Sequence, residues 1–278
     1  MRKTFLAILL LTALTAQAQV TSGNNESNDN TELSIDRQRY VIQYMMNYIK
    51  NPDKPKPQNE LMQLEIGDRC TKFYSHTTMQ RDSIVREMVK QGNFDFSNLK
   101  GGEIRWKLYK GYPSEGKTTQ TEKVGLNDFK VIEAMTVPEW QLVGDSVTRI
   151  LDYECRQATA RFKGRTWTVW YTEDIPIAEG PWLLGGLPGL VMRAYDEQRH
   201  YVFEISGMRQ VKSDDPVSFQ ETDYETISSK EMKKEMQKFC ENPIGYMEND
   251  PSMAGTFTDD EGNALKSRPM NYNPLDLE

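Results

Sequence analysis

The groups able to do chemistry in this 278-residue chain are few and scattered. A hydrolytic triad needs a nucleophile, an imidazole and an acid within hydrogen-bond reach, and the only histidines are His76 and His200. His200 opens a strand beside the charged turn Asp196-Glu197-Gln198-Arg199, where a solvated edge position accounts for it. His76 directly follows Ser75, and neighbours on a strand point to opposite faces, so the two are poorly placed as base and nucleophile. Cys155 stands in a strand with no helix terminus close behind it to favour a thiolate, and reads as a buried thiol. Glu173, Asp174 and Glu179 are carboxylates of the kind that do acid and base work, but they sit at a strand end without a saccharide-binding context. Asp174 reads instead as a cap on the loop that follows. Cys70, Cys155 and Cys240 are too far apart for a zinc motif, and Asp259-Asp260-Glu261 lacks the rest of an EF-hand calcium loop. No catalytic residue, metal site or cofactor is assigned.

Beside these scattered groups stands a segment whose backbone is specified although its chemistry is not. Gly180 to Val191 combines apolar side chains with Gly180, Pro181, Gly185, Gly186, Pro188 and Gly189. Neither a regular helix nor a regular strand accepts that spacing, so these six residues are read as a structural loop. Strands flank it on both sides. Asp152–Phe162 and Thr166–Thr172 form a hairpin around Lys163-Gly164, and Leu190–Tyr195 pairs with His200–Ser206. In the second hairpin arm Trp167, Val169 and Tyr171 face one side, and Thr166, Thr168, Trp170 and Thr172 the other. Trp167, Trp170, Tyr171, Trp182 and Leu187 are therefore the candidate ligand-binding side chains, on the expectation of a cleft between sheet and loop. Trp182 reads either as a plug that locks the loop down or as a platform for a ligand.

Further apolar alternation places strands at Tyr40–Ile49, Leu61–Ile66, Lys72–Tyr74, Ile104–Tyr109, Thr118–Lys123 and Lys130–Val137, with Trp140–Leu142 continuing the series. Asp82–Gln91 fits either a helix or a strand. Ser228-Ser229-Lys230-Glu231 has the form of a capping box, and Met232, Met236, Phe239 and Cys240 follow on one stripe. Strands joined by short turns cannot run parallel. The expected fold is mainly β, a strongly bent antiparallel sheet with a packed Gly/Pro-rich loop and a short C-terminal helix.

The expected divisions are a signal peptide at 1–18, a flexible arm at 19–38, a β-rich domain at 39–242 and a surface-running tail at 243–278. Met1-Arg2-Lys3, the apolar run Phe5–Leu14 and the small residues up to Ala18 make the signal reading, which predicts an exported protein, periplasmic in a diderm host. The apolar run is too short to span a bilayer. Losing Arg2 and Lys3 with the signal makes the formal charge of −7 two units more negative, which disfavours nucleic acid as a partner. Three cysteines in an oxidising compartment leave at least one unpaired; a single disulfide and three buried free thiols both stand open.

The segments Tyr153-Glu154-Cys155-Arg156-Gln157-Ala158, Trp170-Tyr171-Thr172-Glu173-Asp174-Ile175-Pro176, Gly180-Pro181-Trp182 and Gly186-Leu187-Pro188-Gly189-Leu190-Val191, in this order, resemble the GLPGLI family of exported Bacteroidota proteins. Val191 stands where the family's final Ile is usual, and the resemblance runs from Tyr40 to Met208. It implies a periplasmic location and partners drawn from an outer-membrane transport system, lipid or peptide. It carries no catalytic residue to this chain. A looser likeness to periplasmic lipoprotein carriers implies a curved sheet with an apolar concave side. The functional expectation is a non-enzymatic periplasmic accessory or binding protein for an apolar or peptide-like partner. A cell-envelope hydrolase and a purely structural protein-interaction module are the alternatives.

Overall fold

The computed structural model describes residues 31–96, 98–99, 101–253, 255–259 and 262–278. The expected signal segment, residues 19–30 of the arm and the Asp260-Glu261 part of the acidic turn lie outside the described residues. Short runs of alternating apolar and polar side chains separated by turns fold into one large, mostly antiparallel sheet of thirteen strands that does not close. In chain order the elements are β1 (Thr31–Ile49), β2 (Pro57–Gly67), β3 (Thr71–Ser75), α1 (His76–Lys90), β4 (Lys107–Lys110), β5 (Lys117–Val124), β6 (Asn127–Ala134) and β7 (Gln141–Ile150). They continue with β8 (Tyr153–Phe162), β9 (Arg165–Thr172), β10 (Leu190–Asp196), β11 (Tyr201–Gln210), β12 (Pro216–Glu221), β13 (Glu225–Thr226), α2 (Ser229–Glu241) and α3 (Pro243–Glu248).

Across the sheet the order is β13-β6-β5-β4-β3-β2-β1-β11-β10-β9-β8-β7, with β12 paired to the first half of β1. Among the described strands only β13 and β6 run parallel. The long β1 serves two partnerships: residues 31–37 pair with β12, and residues 40–48 lie between β2 and β11. Its register shifts around Asp36 and again before Tyr40, the local irregularities by which a strand changes direction. Strand structure thus begins at Thr31, inside the stretch expected to be a flexible arm.

Even-numbered residues of β1, Ile42, Tyr44, Met46 and Tyr48, face the main core with Met62, Leu64, Phe73, Leu108, Phe203 and the inward side of β8–β10. A smaller core joins Val124, Phe129 and Val131 to Met232, Met236 and Cys240 of α2. The capping box forms as read: Ser228 Oγ accepts from Glu231 N–H, and the Glu231 carboxylate accepts from Ser228 N–H. The ambiguous 82–91 stretch is helical, and α1 begins earlier, where Ser75 Oγ accepts from Thr78 N–H at 2.9 Å as its N-cap. His76 is consequently a helix residue rather than a strand neighbour of Ser75.

The last segment, expected to run along the surface, is anchored near its end. Arg165 and Asp196 form a buried ion pair at 2.8 Å, and the same guanidinium donates to Leu275 O (3.0 Å) and Asn273 Oδ1 (2.8 Å). Asn273 in turn donates to Ile49 O, and Leu275 is buried in the main core. No helix among the described residues is long and apolar enough to cross a membrane.

Candidate functional site

The Gly/Pro loop leaves β9 and enters β10, the strand that pairs with β9, so its two ends are held side by side. Within it Leu184 N–H donates to Pro181 O, Gly186 N–H to Ala178 O, Leu190 N–H to Ile175 O and Val191 N–H to Glu179 O, each at 3.0 Å. Tyr44 donates its hydroxyl to Val191 O (2.8 Å), and Lys110 pairs with Glu179. Among the described residues Asp174 contributes its backbone N–H, to Thr172 Oγ1 at 3.3 Å, and no side-chain hydrogen bond, whereas the Glu179 carboxylate ties the loop to the sheet.

Trp167, Tyr171, Trp182 and Leu187 are each at most 4% exposed. The Trp182 ring lies 5.9 Å from the centroids of both Trp167 and Phe162. Trp182 is thus the plug of the two readings, and it holds a left-handed backbone (φ 53°) that packing must maintain against a cost of about 1–2 kcal/mol. A ligand would reach these four side chains only if the loop parted from the sheet. Trp170 differs: it is half-buried and packs at the margin of the main core. Among the described residues the indole N–H of Trp167 is buried without an acceptor.

The three thiols are free and buried. Burial raises all three, Cys70 to about 12 and Cys240 to about 11, which leaves them protonated and unreactive. Among the described residues no group of three or more His, Cys, Asp or Glu side chains converges at metal-binding range.

The outward anchor of the loop lies next to an open strand. Trp140 Nε1–H donates to Gly185 O at 2.9 Å, and the chain then continues straight into β7. Of this ten-residue strand only Gln141-Leu142 fall in the Trp140–Leu142 segment expected to be strand, and Gly144-Asp145-Ser146 follow it. The structure absorbs those residues in a bulge between the pairs Leu142–Ala158 and Val147–Arg156. β7 is the terminal strand, hydrogen-bonded only to β8 among the described residues. Leu142 is 65% and Val147 51% exposed. An edge of this kind presents unpaired N–H and C=O groups as a template for another strand.

No curated protein matches the sequence. The chain is similar to PNGF-II as solved in space group P21, with a TM-score of 0.50 and 17% identity over 73% of this chain and 34% of that one. The C2 form gives a TM-score of 0.49 and 18% identity over 73% and 33%. The chain spans about a third of the length of the PNGF-II chain, and at this identity the likeness is one of fold alone. A family model described as "Protein of unknown function (Porph_ging)" matches residues 161–193, which run from the end of β8 through β9 and the whole Gly/Pro loop into β10.

Proposed function

We propose that the protein is a non-enzymatic accessory or binding protein of the periplasm whose peptide-like partner adds as an extra strand to the free edge of β7. The observation that carries this reading is the geometry of that edge. A ten-residue strand has one neighbour among the described residues and exposes Leu142 and Val147. It starts directly after Trp140, whose indole N–H is held by Gly185 O of the Gly/Pro loop, itself fixed by its own hydrogen bonds. In strand addition the main chain supplies the affinity and exposed side chains the selectivity, and a rigid base lowers the ordering cost of the free edge. The periplasmic location rests on the N-terminal signal pattern, and the resemblance to exported GLPGLI proteins supports it.

The test is hydrogen exchange on the full chain titrated with a panel of extended ten-residue peptides alternating apolar and polar residues. Binding is expected to slow exchange of the amides of residues 141–150. The double variant Leu142→Lys, Val147→Lys is expected to weaken binding at least about tenfold, because charged edge residues oppose strand pairing, with no change in urea midpoint. Protection elsewhere, no peptide binding, or undiminished binding by the double variant rejects the reading.

A further inference from the structure

The outer face of the sheet carries an assembly that the β7 edge does not use. In the register of β2, β3 and β4, Glu65 stands opposite Lys72, Lys72 opposite Tyr109, and Tyr74 opposite Lys107, so all of them share one face. By alternation this would be a solvated face. It is covered because β12 crosses it, setting Phe219 against the Tyr109 ring at 5.0 Å and Gln220 Oε1 at 2.7 Å from Lys107 Nζ.

Two amines lie there, and among the described residues neither makes a direct ion pair. Lys72 is 8% exposed; its ammonium lies 4.9 Å from the centroid of the Tyr74 ring and 5.9 Å from that of Tyr109. Among the described residues it forms neither a hydrogen bond nor an ion pair. Glu65, its cross-strand neighbour, is occupied by the Tyr74 hydroxyl (2.7 Å) and the Gln63 amide (3.1 Å). Lys107 sits at the rim, half-buried, and its acceptor is the neutral amide oxygen of Gln220. Burial favours the neutral form of both amines; at Lys107 the Lys72 charge adds to it, whereas at Lys72 the carboxylates of Glu65 and Glu32 oppose it.

We propose that Lys107 is a reactive amine that takes small aldehydes at the rim of the face covered by β12, with Lys72 beside it as a positioning residue. The Lys107 nitrogen lone pair attacks the carbonyl carbon while the C=O π pair moves to oxygen, which takes up a proton released from nitrogen. The resulting carbinolamine expels water, and a C=N bond replaces C=O; the water carries the carbonyl oxygen and both amine hydrogens. A desolvated lysine beside another cation is an established way to obtain such a nucleophile.

Burial first, and Lys72 second, bring Lys107 down to about 8, against the opposing pull of Asp82 on α1, Asp128 on β6 and Glu32 on β1. Across the register it also faces Tyr74 on β3 and Thr121 on β5, with the Lys130 cation of β6 next in the same row and Gln220 of β12 as its acceptor. At pH 7.5 the neutral fraction rises from about one in a thousand for an ordinary lysine to about one in four. Lower basicity returns part of that gain, leaving an expected rate advantage of about tenfold.

The experiment incubates the full chain with butyraldehyde and cyanoborohydride between pH 6 and 10 and quantifies alkylation of each lysine by peptide mass spectrometry. Lys107 is expected to react about tenfold faster than the exposed Lys54 at pH 7.5, with a half-maximum near pH 8. Lys72→Met is expected to move that half-maximum to higher pH and slow Lys107 several-fold while leaving Lys54 unchanged. If that variant does not fold, the wild-type profile alone decides. Alkylation of Lys107 no faster than Lys54, or a profile that rises only near pH 10, overturns the proposal.

Discussion

Replacing Gly189 by alanine tests whether the loop is specified by its backbone. A β-carbon at 189 would stand 2.6 Å from the Thr172 carbonyl carbon and 3.1 Å from Glu173 Cα, and closer still to the Thr172 carbonyl oxygen. Non-bonded carbons settle at about 3.5 Å or more, so the two chains must part by about 1 Å. The obstacle is strand backbone, which cannot swing aside as a side chain does. Separation opens the Leu190–Thr172 pair and weakens the bonds Leu190 N–H to Ile175 O and Tyr44 hydroxyl to Val191 O. Two hydrogen bonds at about 1 kcal/mol each, with about 1–3 kcal/mol for overpacking, give a loss of about 3–5 kcal/mol. Leu190→Val removes one methylene from a fully buried side chain and is expected to cost about 1 kcal/mol. Gly186→Ala separates conformation from crowding. Its φ is 90°, yet the added methyl would meet nothing nearer than Val137 at 3.6 Å, for an expected cost of about 1–2 kcal/mol. Urea unfolding at a common m-value reads all three. A Gly189→Ala protein within about 1 kcal/mol of wild type, or no worse than Leu190→Val, refutes the close-approach argument.

Two other substitutions address buried charge. Arg165→Met leaves Asp196 with the Tyr201 N–H but no counter-ion, and is expected to cost about 3–5 kcal/mol. It also removes the donors that hold Asn273 and Leu275, so exchange of the amides of Asn273, Leu275, Asp276 and Leu277 should accelerate more than that of β9; equal change in both would show that Arg165 does not hold the tail. Glu122 is raised from 4.5 to about 7, chiefly by burial, with the Gln120 hydrogen bond opposing. The folded state therefore binds the proton more tightly, and stability is lost as pH rises through the window from 4.5 to about 7. Glu122→Gln should leave stability unchanged below that window and raise it by about 1–2 kcal/mol above it, after allowance for water at the partly exposed carboxylate. A gain that is independent of pH contradicts this.

Much of the sheet was legible because local alternation and local pairing agree. The 152–162 and 166–172 hairpin, the strand either side of the Gly/Pro loop and the Ser228 capping box depend on residues close in sequence, and each is found where its pattern lies. Where distant segments decide, the same patterns misled. Residues 31–38 carry few apolar side chains and read as an arm, yet they are a strand because β12, nearly two hundred residues away in sequence, pairs with them. The 143–150 part of β7 was hidden because a bulge accommodates Gly144-Asp145-Ser146 without ending the strand.

The candidate side chains divide in the same way. That Trp167 and Tyr171 share a face follows from strand period alone; that the face is packed shut beneath Trp182 depends on the loop folding back over it. Lys72 and Lys107 gave no sequence signal, since a charged residue at every second position of a strand is how a solvent face is written. The covering strand turns that face into an interior, and desolvation then changes the acidity of the same amines. Periodicity and backbone restriction are properties of a few neighbouring residues, so they belonged to the sequence of this protein from the start. Burial and edge exposure depend on which remote strand arrives or fails to arrive, and only the tertiary structure decided them.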